Sequence, residues 1–384
     1  MSSFVPNYPH PEKALLTTPE RIDASPHYSG RGVVIAYLDS GFYMHPDIAD
    51  RLRLHVDATT RQIKEQSRVE QADTTSWHGL MVAAIGSGNG AASNGKYRAV
   101  ACESDLVLVK ISNPKGGVKE ADILRGMKWL VRHHARMNIR IVNVSVGGDV
   151  ISTNPDHPLH HCVRDLTKAG VTVVIAAGNQ GDSHLVPPAS SPEAIVVGGY
   201  NDNNSLNRSD WTTYHSNYGT AYDGTNKPDI IAPAQWIASP ILPQTIVEKE
   251  AHWLGSLLQS GNKEAVKNLL AHGLADLDIP KPKTRRLGKS LHRTLQDRIY
   301  AHKLIHEKYQ HVDGTSVAAP IVSSVIAQML EANPKLTPSQ IRTILKETAT
   351  PLAGIVLEQQ GAGVIHAKEA VAQALHQRHT PSFT

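Results

Sequence analysis

A doubly wound α/β sheet is the fold class that this sequence predicts, and three observations predict it. Short β-branched and aliphatic runs recur along the first two thirds of the chain: Val33–Leu38, Leu106–Ile111, Ile141–Val146, Val171–Ala177 and Ala194–Gly199. Each is apolar at consecutive rather than alternate positions, so both faces of each strand are expected to be covered, as in a mostly parallel sheet. Between the runs lie longer stretches with helical character, Glu120–Ala135 and Pro158–Ala169 among them, and strand–helix–strand repetition places helices on both faces. The expected architecture is one three-layer domain over all 384 residues, with a short arm at 1–13 and a helical insertion at 241–309.

Hydrophobic residues at 40% and charged residues at 19% allow a large core and exclude wholesale disorder. A net charge of +4, with scattered basic residues, does not predict a nucleic-acid partner. The opening MSSFVPNYPHPEKALL has no apolar run long enough for a signal peptide or membrane span, so no membrane partner and a cytoplasmic location are expected. Two cysteines, Cys102 and Cys162, are too few for a disulfide framework and are expected to be free buried thiols.

In such sheets ligands bind where strands end and helices begin, so the residues just after the apolar runs carry the functional information. Asp39 follows VVIAYL directly; alone, Asp-Ser-Gly is an ordinary turn. His78 opens the small-residue stretch HGLMVAA; alone, it is one of 21 histidines. Ser316 lies in DGTSVAAP at the first turn of a long apolar helix; alone, it reads as a capping residue. A helix N-terminus beneath a serine also favours developing negative charge.

Together these residues are less ambiguous. The motifs VVIAYLDSG, HGLMVAA, VNVSVGG, IAAGNQG and GTSVAAP resemble those of the subtilisin-like serine peptidases (subtilases), in the same order. GKYRAVA, PPASSPEAIVVGG, KPDIIAPA and GAGVIHAKEAV extend the resemblance from about Ala14 to Leu375, the insertion excepted. The resemblance implies a subtilisin-like fold and a serine endopeptidase with Asp39, His78 and Ser316 as its triad. It places Asn179 in the oxyanion hole, and Ser145, Val146, Gly147 and Ala176, Ala177, Gly178 as two walls of the substrate pocket. Those walls carry no acid, which implies broad specificity with an apolar bias. The competing expectation is a catalytically silent scaffold that binds a partner through its insertion.

Leu80 and Met81 stand where the family usually has Thr and His, and Cys102 where it commonly has a proline. No catalytic cofactor is expected. A structural Ca2+ ion is implied at Asp47, with further ligands expected from Asn89–Lys96, which offers oxygens but no carboxylate. His157, His160 and His161 beside Cys162, and the pair His302 and His306, have metal-compatible spacing but read as exposed helical histidines.

The insertion is expected to form helices at Thr245–Gln259, Lys263–Leu274 and Leu287–Tyr309, capping the active-site rim or mediating homo-oligomer or partner contacts. Its basic cluster Lys281, Lys283, Arg285, Arg286 and Lys289 reads as a solvated charged face. Residues Met1–Pro11 are expected to be a removable arm near the active site.

Overall fold

The computed structural model describes residues 4–69, 72–113, 117–259, 263–280, 282 and 287–379. The apolar runs form strands β1 (Val34–Asp39), β3 (Asp105–Lys110), β4 (Ile139–Val144), β5 (Thr172–Ala176) and β6 (Ile195–Asn201), joined by β2 (Leu52–Asp57) and β7 (Ile230–Pro233). Their order is β7-β6-β5-β4-β1-β3-β2, every neighbour parallel. Short antiparallel strands, Lys64–Gln66 on β2 and Thr212–Thr213 on β6, bring the sheet to nine strands.

The longer helices are α1 (Ser76–Ser87), α2 (Glu120–Met137), α3 (Pro158–Lys168), α4 (Ile246–Leu257), α5 (Lys263–Asn268), α6 (Lys289–Ala301), α7 (Thr315–Ala332), α8 (Pro338–Thr348) and α9 (Ala367–His379). Because successive strand side chains point to opposite faces, β1 divides its residues between two cores. Ile35 and Tyr37 pack with α1, α7, α8 and α9, while Val34, Ala36 and Leu38 pack with α2 and α3. Every residue of β1 is buried. The chain therefore makes the three layers expected of it.

Helix α7 is long and apolar enough to cross a membrane by length and composition, yet it lies in the core, buried at every position except Ser316 and Glu331. Ser316, in the first turn, is thus half-exposed on an otherwise almost wholly buried helix.

The insertion leaves the domain along β8 (Ile237–Pro240) and returns along β10 (Tyr309–Val312); the two pair antiparallel, Ile237 opposite Val312. The second expected helix is α-helical only to Asn268 and continues as a π-helical turn, Leu269–Gly273. The third ends at Ala301, well short of Tyr309. Lys303 adopts a left-handed φ of 52°, which breaks the helix, and the chain reverses into β9 (Leu304–His306), paired with β10. Strand pairing to the catalytic domain overrides helical propensity here.

The apolar stripe of the insertion packs on itself: Leu254, Leu257, Val266, Leu269, Leu295 and Ile299 share one cluster. Phe4 belongs to that cluster and stacks on His292 with ring centroids 4.3 Å apart. The Gln296 amide accepts from Val5 N–H at 3.2 Å and donates to Val5 C=O at 2.6 Å. Phe4 and Val5 thus belong to the insertion's own fold rather than to a detachable strap, and residues 1–3 of the expected arm lie outside the described residues. Lys289 is exposed at the start of α6; Lys281, Lys283, Arg285 and Arg286 lie outside the described residues.

Candidate active site

Asp39 is the last residue of β1, fully buried, at the C-terminal edge of the sheet where the crossovers diverge. Its Oδ1 accepts from Ser40 N–H at 2.7 Å and from the Ser40 hydroxyl at 3.1 Å, and lies 2.7 Å from His78 Nδ1. Its Oδ2 is buried without a hydrogen-bond partner. His78 stands in the first turn of α1 with 29% of its side chain exposed. Burial pulls the imidazole pKa down, but the charge and hydrogen bond of Asp39 outweigh it, and the net shift is upward from 6.5.

The departures beside His78 are accommodated in the core. Leu80 and Met81 are buried among the residues that join α1 to α7. Helices α1 and α7, which carry His78 and Ser316 in their first turns, pack on each other in the same core.

Ser316 is held by its surroundings in a way the sequence contains but does not advertise. Pro320 lies four residues on and has no N–H, so the Ser316 carbonyl lacks its helical donor. The Ser145 hydroxyl donates to that carbonyl instead, at 3.3 Å, and Ser316 Oγ donates to the Ser145 carbonyl at 3.3 Å. Ser145 is fixed in turn by Asn143 Nδ2 at 3.0 Å, and Asn143 Oδ1 by Ser323 at 3.0 Å. No hydrogen bond joins Ser316 to His78 in this state; such contacts are commonly loose in free enzymes and tighten around substrate.

Asn179 follows β5 in an exposed turn. Its Oδ1 accepts from Thr315 N–H at 2.8 Å and from the Thr315 hydroxyl at 2.9 Å, which leaves Nδ2 beside Gly314. Ser316 N–H is one of the first-turn donors of α7 that has no helical acceptor. Gly314 lies between these two donors with φ of 135°; a Cβ there would sit 3.5 Å from Asn179 Nδ2 and 3.7 Å from Ser316 N. The glycine leaves an atom-sized space facing both.

Ser145, Val146 and Gly147 leave the end of β4, and Ala176, Ala177 and Gly178 the end of β5, on adjacent strands. Exposure rises outward along the first segment: Ser145 is buried, Val146 half-buried and Gly147 exposed. Among the described residues, Val146 and Gly147 make no backbone hydrogen bond to another segment, so this edge is free for an extended chain.

The residues around Asp47 do not fit a calcium ion. Asp47 Oδ2 accepts from the Tyr309 hydroxyl at 2.7 Å and Oδ1 from Ala92 N–H at 2.9 Å, while its carbonyl takes Asn89 N–H at 2.9 Å and Arg51 Nη2 at 2.5 Å. Asn89 Oδ1 is engaged by Ala91 N–H at 2.9 Å. Donors, one of them a guanidinium, converge where calcium needs about six to eight oxygens. Chelator should therefore leave the Tm unchanged, whereas Tyr309→Phe, which strips a buried carboxylate of its donor, should cost about 2 kcal/mol in denaturant unfolding. A chelator-induced drop in Tm would contradict this.

Nor do the histidine clusters converge; among the described residues no group of three metal-type side chains forms. His160 is not exposed as expected but fully buried, with ring nitrogens 2.8 Å from Asn154 O and 2.9 Å from Ser190 Oγ. His302 pairs with Glu250 at 2.9 Å, and His306 Nδ1 accepts from Lys308 N–H at 3.3 Å. Both cysteines are free; Cys162 is buried but Cys102 only half-buried, and burial raises both thiol pKa values.

Comparison with known proteins agrees with this geometry. The model of the Subtilase family (Peptidase_S8) matches residues 30–363. Serine protease AprX of Bacillus subtilis (strain 168) is 30% identical over 352 residues, 89% of this chain and 67% of that protein. Subtilisin Savinase of Lederbergia lenta is 25% identical over 89% of this chain and 91% of that protein. Among solved structures, a protease from Pseudoalteromonas arctica PAMC 21717 superposes with a TM-score of 0.61 at 22% identity, covering 96% of this chain and 99% of that one. Fervidolysin from Fervidobacterium pennivorans gives 0.62 at 20% identity, covering 92% and 45%. These two structures attest the fold; the family model, spanning most of the chain, attests descent. The chain belongs to the subtilase family.

Proposed function

We propose that this subtilase, a serine endopeptidase acting on peptide or protein substrates, works through a triad of Asp39, His78 and Ser316 and an oxyanion hole of Asn179 Nδ2 and Ser316 N–H. The observation that carries the reading is the space at Gly314 faced by two unengaged donors beside the Ser316 hydroxyl. Ser316 Oγ attacks the scissile carbonyl while His78 Nε2 takes its proton; Asp39 holds Nδ1–H and balances the imidazolium. The tetrahedral oxyanion enters the space beside Gly314. His78 then protonates the departing amine, and water repeats the sequence to release the acyl half.

The walls Ser145–Gly147 and Ala176–Gly178 hold the acyl side, the first by backbone pairing, and without an acidic group they favour apolar side chains. The insertion stands at the rim and limits access by large folded substrates. A silent scaffold is not favoured, because the relative from Bacillus subtilis is named as a serine protease.

The pH profile tests the reading. Catalysis needs neutral His78, and Asp39 raises its pKa, so kcat/KM on a chromogenic tetrapeptide should be low in acid and rise along one ionisation with a midpoint above 6.5. Activity independent of pH into the strongly acidic range would remove His78 from the role of base.

A further inference from the structure

We propose that the cavity between the start of α1 and the insertion binds an apolar substrate side chain on the leaving-group side of the scissile bond. The proposal rests on the peptidase reading and adds a specificity that the insertion confers.

The cavity has a volume of about 740 Å3 and is walled by Trp77 and Val312 from the catalytic domain and by Leu242, Val247 and Ala301 from the insertion. That size lies within the range of about 300–1,000 Å3 for ligand pockets. Its wall adjoins the catalytic residues: Trp77 precedes His78, with ring centroids 6.1 Å apart, and Asp313 precedes Ser316 by three residues. None of Ser145–Gly147 or Ala176–Gly178 lines it. The cavity is therefore separate from the acyl walls, and we assign it to the opposite, leaving-group side of the proposed site.

The exposed surface of the wall is mostly apolar, and its charges are matched. Asp73 is bound by Lys110, Asp313 by Lys303, and His302 by Glu250. His311 is 1% exposed and neither ring nitrogen makes a well-formed hydrogen bond; the Asn7 backbone lies near, but burial dominates and pushes the pKa down to about 4, so the ring is neutral. With the Gln310 amide oriented to suit both partners, it accepts from Trp77 Nε1 at 2.9 Å and donates to the His302 carbonyl at 3.1 Å, tying the indole to the insertion. A charged substrate residue would find no free counter-charge here, while an aliphatic or aromatic one would meet Trp77, Leu242 and Val247.

Fluorescence-quenched peptides with one acyl-side sequence, varied among Phe, Leu, Gly, Lys and Asp at each of the three positions after the scissile bond, test this. The expected result is one position at which Phe or Leu exceeds Gly, Lys and Asp by about 10-fold or more in kcat/KM. Ala301→Trp, which fills the cavity from the exposed end of α6, should bring that ratio close to one. Val247→Arg should move the preference toward Asp. A flat wild-type profile overturns the proposal, as does a preference that both folded variants retain. A tetrapeptide anilide, which has no residue beyond the scissile bond, reports separately: if the wild type does not cleave it, the peptidase reading itself fails and this proposal falls with it.

Discussion

Asp39→Asn should lower kcat by about 10⁴-fold while the protein stays folded. The carboxylate accepts the Nδ1 proton of His78 at 2.7 Å, and that acceptance fixes the tautomer in which Nε2 is free to take a proton from Ser316. An asparagine amide facing Nδ1 would donate instead, shifting the ring proton to Nε2 and leaving no base toward the serine. A second signature separates this from general damage. Burial depresses the His78 pKa and Asp39 reverses the sign, so with the charge removed the residual pH limb should move to lower pH than in the wild type. Urea unfolding of the variant checks the fold. A loss of activity with an unmoved pH limb would mean that Asp39 does not act through His78.

Asn179→Leu is expected to lower kcat by about 10²–10³-fold with KM nearly unchanged, the magnitude that loss of such a donor has in a subtilisin. The argument lies in how the side chain is held. Thr315 engages Oδ1 twice, so Nδ2 is aimed before substrate arrives, and the oxyanion meets a donor that need not reorganise. Leucine keeps the bulk and loses the donor. Thr315→Val, which removes one of the two contacts on Oδ1, should show a smaller loss of the same kind. A rise in KM with kcat intact would instead make Asn179 a ground-state binding residue.

Much of this was legible in the chain. Strands buried on both faces announce themselves as unbroken apolar runs, and β1, β3, β4, β5 and β6 form within two residues of those runs. β2 escaped notice because Leu52–Asp57 is an outer parallel strand with polar Arg53, His55 and Asp57 interleaved. The candidate triad residues stand out in the sequence because each follows directly on a strand end or opens a helix in an ordered motif. The residues that hold them were not. Ser40, Thr315 and Asn143 act through contacts that only the fold creates, although Pro320, four residues after Ser316, is a signal that the serine's carbonyl must find another donor.

The insertion was the least legible region, for a physical reason. Its helical spacing is real in α4, α5 and α6, but the return of the chain is set by partners far away in sequence: β10 pairs with β8, and the Tyr309 hydroxyl reaches Asp47. The same long-range contact occupies the carboxylate at which the family resemblance implied calcium. Phe4 is a comparable case, since nothing in MSSFVPNYP shows that its aromatic ring completes a core nearly 300 positions along the chain.

The central claim is that Ser316 is a nucleophile activated in this crevice, and labelling with a fluorophosphonate tests it most directly. Intact-mass spectrometry should show one adduct on the wild type, peptide mapping should place it on Ser316, and Ser316→Ala should take up none. Asp39→Asn should label far more slowly, because its histidine no longer accepts the serine proton. A well-folded wild type that takes up no reagent, or an adduct that persists in Ser316→Ala, would contradict the account.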